Sequence, residues 1–280
     1  MIMPIQATPP PFRSDSRANH LESWTTTHDS SAGHFLWLRT ADAVVAQLRK
    51  LAPDYSPRQL PPNPLAIWTH VFWSPGAPRL DVAELLAVLG ITLTLRCPVT
   101  LDFVLALDWY KQPVDGVSAT SWPNTETGEL VSRGKYLYKT DGDRQAKVGL
   151  LLMRKMSVVI QGHPLLRKAD IVLDVPGHDA ERVSFGSRMA ATVARDFKVP
   201  KIRVKARDKF RAEAKSVDPA QRAGILAGQF SIAHDLHGHT ALIVDDVFQS
   251  GISMGETARA ARAAGANRVL GICAVRTLRR

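Results

Sequence analysis

The stretch ALIVDDVFQSGISMGETARAARAAGA, residues 241–266, decides how this chain is read. Its first residues are apolar and predict a buried strand over 241–245, which delivers two adjacent carboxylates, Asp245 and Asp246, to its C-terminal end. After Val247 and Phe248 comes a short polar loop, Gln249, Ser250, Gly251, Ile252 and Ser253, and then an Ala/Arg-rich helix predicted over 252–264 and ended by Gly265. A loop of small residues at a helix start presents backbone N–H groups and the positive end of the helix dipole, with the Ser250 and Ser253 hydroxyls as extra donors. Such a loop is a phosphate cradle. Carboxylates just upstream repel phosphate, but they accept hydrogen bonds from vicinal hydroxyls or hold magnesium through waters. Phosphate and diol together are the pattern of a ribose 5-phosphate.

Working outward, residues 131–280 alternate regularly. Helices are predicted over 145–156 and 182–197, and strands over 171–175, 201–205 and 269–275. Strands and helices alternating at these lengths predict an α/β fold with a parallel, doubly wound sheet, whose ligands sit beyond the carboxyl ends of the strands. Before residue 130 the pattern is irregular. A helix is expected over 41–51, a Pro-rich irregular stretch over 53–64, an aromatic strand over 65–73, a helix capped by Asp81 over 81–89 and a strand over 91–96. Residues 100–109 fit strand or helix. The first 33 residues, rich in Pro, Ser and Thr, are expected to be loosely ordered. The expected organisation is therefore 1–33 loose, 34–130 an α+β extension or hood of unassigned role, and 131–280 the domain carrying the motif.

The run from Ile243 through Asp245 and Asp246 to Ser253 resembles the signature of type I phosphoribosyltransferases: apolar residues, two acids and a T-G-x-T-like loop. Gln249 stands where that family usually has Thr, and Ile252 where it usually has a small residue. The resemblance implies that Asp245 and Asp246 take the ribose hydroxyls of phosphoribosyl pyrophosphate. It implies a 5-phosphate held by Val247, Gln249, Ser250, Gly251, Ile252 and Ser253. Upstream, Val175, Pro176, Gly177 and His178, with Gly186 and Ala190 in register, resemble the diphosphate loop of the ComF-like, competence-associated branch. The segments 139–143 and 207–230 are similar to that branch as well. The basic run after residue 201 includes Lys205, Arg207, Lys209 and Arg211, and lies where the family carries a mobile loop over its substrate. The resemblance further implies Mg²⁺ bound through substrate and water near Asp245 and Asp246, and a homodimer as a frequent assembly. An enzyme that transfers the phosphoribosyl group to a base or amine is the leading expectation. A catalytically degenerate nucleotide sensor, or a module for single-stranded nucleic acid, is the alternative.

Composition bears on that choice. The chain has 36 Lys+Arg against 26 Asp+Glu, net +10. Residues 1–130 hold 9 against 12 and residues 131–280 hold 27 against 14, so the basic excess lies wholly with the motif and suits an anionic partner, phosphorylated metabolite or nucleic acid. Two cysteines, Cys97 and Cys273, are too few for a structural zinc site or a disulfide scaffold. The histidines of HDLHGH, residues 234–239, lack the i,i+4 helical spacing of a metal pair. Arg259, Arg262 and Arg268 are expected as solubilising surface charges. No apolar run approaches the roughly 18 residues of a membrane helix, and nothing at the N-terminus has the pattern of a secretory signal, so a cytoplasmic protein without membrane contact is expected.

Overall fold

A computed structural model describes residues 17–29, 32–60, 67–177, 183–207 and 227–277. The chain divides into two compact units, Met1–Arg96 with Val159–Arg167, and Cys97–Val158 with Lys168–Arg280.

In the first unit, β1 (Ala18–Asn19) pairs antiparallel with β6 (Leu93–Leu95). A four-stranded antiparallel sheet is ordered β2 (Ser23–Asp29), β3 (Gly33–Arg39), β5 (His70–Pro75), β4 (Ser56–Arg58). Two helices belong to this unit, α1 (Asp42–Leu51) and α2 (Leu80–Gly90). Residues 23–29 are thus a paired strand, although their polar composition predicts loose order; seven cross-strand pairs with β3 supply what hydrophobicity does not. Helix α2 is capped at Arg79 rather than Asp81. Asp81 sits in the first turn and accepts from the Arg79 guanidinium at 3.1 and 2.7 Å.

The second unit is built on five parallel strands ordered β7 (Phe103–Trp109), β13 (Arg268–Arg276), β12 (Thr240–Phe248), β8 (Ile171–Asp174), β9 (Lys201–Ile202). The ambiguous 100–109 segment is a strand of this sheet, so the unit carrying the motif begins near Cys97, upstream of the expected boundary at 130. The sheet is apolar throughout its middle, with residues 241–244 and 269–275 buried, as a strand covered on both faces requires. Its helices are α3 (Glu126–Ser132), α4 (Gly142–Gly162), α5 (Phe185–Phe197) and α6 (Ile252–Ala263). Helix α4 is longer than the 145–156 predicted, and its last turn belongs to the first unit. The single strand expected over 201–205 is two short ones: β9, and β10 (Lys205–Ala206), which pairs with β11 (Phe230–Ser231). Among the described residues no helix is long and apolar enough to cross a membrane.

Strand order locates the crevice. From β8 the chain passes through α5 outward to β9, whereas from β12 it passes through α6 in the opposite direction to β13. The two connections diverge at the β8/β12 seam, the switch point where parallel sheets open a cleft beyond their carboxyl ends.

Candidate functional site

At that seam Asp174, the last residue of β8, is paired in register with Val244 of β12, and β12 runs on past the end of β8 through Asp245 and Asp246 to Phe248. Strand alternation sends consecutive side chains to opposite faces. Asp246 is 5% exposed, while Asp245 is half-buried and accepts the Asp246 backbone N–H on Oδ1 at 2.8 Å. Gly186, near the start of α5, lies against this pair: a Cβ there would stand 3.0 Å from Asp245 Oδ1 and 3.4 Å from the Asp246 nitrogen. A Cβ at this position would force Asp245 to shift by a few tenths of an ångström.

The acid pair has a partner that sequence reading missed. Lys135 Nζ lies 2.9 Å from Asp246 Oδ1 and 2.8 Å from Oδ2. Lys135 sits in a π-helical turn, Arg133–Leu137, that continues α3. The turn is clamped from two sides. Gly134 lies so close to the Phe185 ring that a Cβ would come within 2.5 Å of it, and its carbonyl accepts from Gln145 Nε2 of α4 at 2.6 Å. Gln145 is held in turn by Arg188 of α5. Separated from Asp246 by 111 positions, Lys135 leaves no periodic signal in the sequence. Burial works against its charge, but Asp246 and Asp245 outweigh burial and hold the ammonium above its ordinary range. Burial first, and then the charge of Asp246, push the Asp245 carboxyl well above the usual carboxylate range against the pull of Lys135.

The loop after β12 is fixed from below. Arg276, 4% exposed at the end of β13, donates to the carbonyls of Phe248 (3.2 Å) and Gln249 and stacks its guanidinium 5.4 Å from the Phe248 ring centroid. Gly251 takes φ +78 as the N-cap of α6, where a Cβ would meet the Phe248 ring at 2.5 Å. With those carbonyls turned toward Arg276, the exposed Ser250 and the half-buried Gln249, Ile252 and Ser253 surround a helix start. The first N–H groups of that helix have no intrahelical acceptor. Val247 is half-buried within β12.

Across the seam, Val175 is buried and Pro176 and Gly177 are half-buried directly after β8; His178 lies outside the described residues. Lys201 of β9 spans this loop's base, 3.2 Å from Asp174 Oδ2 and 3.1 Å from Ser187 Oγ of α5. Lys205 and Arg207 are exposed on the β10–β11 ribbon, and Lys209 and Arg211 lie outside the described residues. The structure therefore brings Asp245, Asp246 and the 249–253 loop to one strand end and the 175–177 loop to its neighbour.

Two arginines expected as solubilising charges have other work. Arg262 donates to Asp102 Oδ2 at 2.7 Å and to the Thr100, Ala266 and Asn267 carbonyls, tying α6 to the strand starts. Arg259 forks onto the buried Glu256 and donates to the Phe230 carbonyl. Among the described residues no group of three or more His, Cys, Asp or Glu side chains is placed to hold a metal ion, and His237 and His239 pair with Asp235 and Asp170. A groove of about 430 Å³ between α4 and α5 is lined by Leu150, Met153, Phe185 and Met189.

Among solved structures that match is a purine phosphoribosyltransferase from Pyrococcus horikoshii Ot3, 15% identical, with a TM-score of 0.28 over 46% of this chain and 69% of that one. No family model and no curated protein matches the chain. A likeness of that size is slight.

Proposed function

We propose that the β8/β12 crevice binds phosphoribosyl pyrophosphate and that the protein transfers its phosphoribosyl group to a base or amine. The observation that carries this reading is the juxtaposition of Asp245 and Asp246 with a Gly251-capped helix start at a topological switch point. Asp246, held by Lys135, accepts a hydrogen bond from one ribose hydroxyl; Asp245, with its raised pKa, shares a proton with the other. The N–H groups of Ser250, Gly251, Ile252 and Ser253, with the two serine hydroxyls and the Gln249 amide, take the 5-phosphate. The loop Val175, Pro176 and Gly177, directly after β8, is the candidate to hold the diphosphate, with His178 next in the sequence. Lys205 and Arg207 of the β10–β11 ribbon, with Lys209 and Arg211 next in the sequence, supply positive charge for an anionic ligand. The doubly wound type I arrangement belongs to the same proposal. It is supported by the opposite directions of the β8–α5–β9 and β12–α6–β13 crossovers, which right-handed connections place on opposite faces.

In the reaction the anomeric C–O bond to diphosphate breaks, a C–N bond to the acceptor forms, and the nitrogen's proton passes to solvent. The chain supplies little covalent chemistry: it fixes the sugar by its hydroxyls and 5-phosphate and presents oriented donors to the departing charge. As a direct ligand set for Mg²⁺ the acid pair does not fit, because the Lys135 ammonium seated on both oxygens of Asp246 would repel a cation there.

Titration with ribose 5-phosphate and with 2-deoxyribose 5-phosphate tests the diol assignment. Losing one hydrogen bond to a charged group costs about 1.5–3 kcal/mol, so the deoxy sugar should bind at least tenfold more weakly. Equal affinities would remove the acid pair from sugar recognition.

A further inference from the structure

The ammonium of Lys135 touches both oxygens of a carboxylate that is 5% exposed, at 2.9 and 2.8 Å, and its backbone is locked by Gly134 against Phe185 and by the Gln145 hydrogen bond. A flexible surface lysine finding a carboxylate by chance would have no such clamp. The π-helical turn contributes as well, since its i→i+5 bond, Tyr138 N–H to the Arg133 carbonyl at 2.8 Å, inserts an extra residue per turn just where Lys135 must face β12. An ammonium seated on a carboxylate fills the electrostatic role a divalent cation would fill there, and two positive charges within about 4 Å in a partly desolvated site repel by several kcal/mol.

We propose that Lys135 is a positioning residue that acts as resident counter-ion to Asp246, excluding a free divalent cation from the acid pair so that metal enters only on the diphosphate of the substrate. This rests on the reading of the acid pair as a ribosyl site. Its consequence is an order of events: Lys135 holds the Asp246 carboxylate in orientation for the ribose hydroxyl, and the pair stays uncommitted to metal until a ligand bearing its own cation arrives. The sign of the device is specific, since a neutral residue at position 135 would turn the same carboxylates into a cation trap.

The probe is Mn²⁺ alone, followed by loss of the free-ion electron paramagnetic resonance signal near neutral pH, with the full-length chain. Wild type should leave the signal unchanged at millimolar protein. Lys135→Gln keeps a hydrogen-bond donor for Asp246 without the charge, and should bind Mn²⁺ at least about tenfold more tightly than wild type. Lys135→Arg should behave as wild type, and adding Asp246→Asn to Lys135→Gln should abolish the gain. Identical curves for wild type and Lys135→Gln overturn the proposal, as does a gain that survives Asp246→Asn. Should Lys135→Gln fail to fold, wild type still decides: Mn²⁺ bound by wild type without substrate, and lost with Asp246→Asn, contradicts it. None of these arms uses a sugar phosphate, so a failure of phosphoribosyl pyrophosphate to bind would refute the ribosyl reading separately.

Discussion

Gly186 shows how the acid pair is placed. Its hydrogen, where any other residue carries a Cβ, lets α5 rest on Asp245 and on the Asp246 amide, so Asp245 is positioned from the helix side as Asp246 is from the Lys135 side. Gly186→Ala adds one methyl at 3.0 Å from Asp245 Oδ1, tighter than ordinary van der Waals contact, and that oxygen must give way. Alanine also favours a helix over glycine by about 0.8–1 kcal/mol, which offsets part of the crowding. Ribose 5-phosphate affinity should therefore fall about tenfold or more while the melting temperature moves by less than about 4 °C. Unchanged affinity, or a fall matched by loss of fold, would contradict the placement. At this scale the sequence was informative about Asp245, Asp246 and Gly251, because adjacency and a strand–loop–helix pattern are local. Lys135, Lys201 and Arg276 were not legible, since each acts on a partner distant in the chain and nothing local distinguishes them from surface cations.

The elements followed their periodicity where a face or a whole strand is buried. Residues 241–248 and 268–276 are apolar over most of their length, and the strands sit where expected; β2 is polar and was missed, because its order comes from pairing with β3. The end of α4 in the first unit is a different case. Buried His163 follows its last turn; Nδ1 lies 3.2 and 3.3 Å from the Leu165 and Leu166 amides, which donate to it, and Nε2 donates to Gln47 Oε1 at 3.0 Å. Gln47 passes the chain to Thr94 at 2.8 Å. An imidazolium would set a second N–H against two backbone amides, and burial in any case pushes the His163 pKa down to about 3. The native state thus refuses a proton that the unfolded chain accepts below its ordinary value of 6.5. Stability from this histidine is complete above pH 6.5 and is lost progressively as pH falls toward 3. In urea titrations wild type should lose about 1.5 kcal/mol between pH 6.5 and 5 that His163→Gln does not lose. Parallel losses would show that His163 takes a proton in the fold.

For the molecule as a whole, charge and topology point to the same unit. The basic excess of residues 131–280 belongs to the part whose parallel strands carry the acid pair, the Gly251 loop and the 175–177 loop, as the proposed binding of an anionic sugar phosphate requires. The compact unit that carries the motif also takes in residues before 130, from Cys97 on. The segment 100–109 is short and apolar, which suits strand or helix equally until β13 is there to pair with it. Calorimetry with phosphoribosyl pyrophosphate and Mg²⁺ tests the central claim most directly. Wild type should bind the complex, and Asp245→Asn combined with Asp246→Asn should abolish binding while the melting temperature shows a folded protein. A wild type that gives no heat with the complex, or a double variant that binds as tightly as wild type, would contradict it.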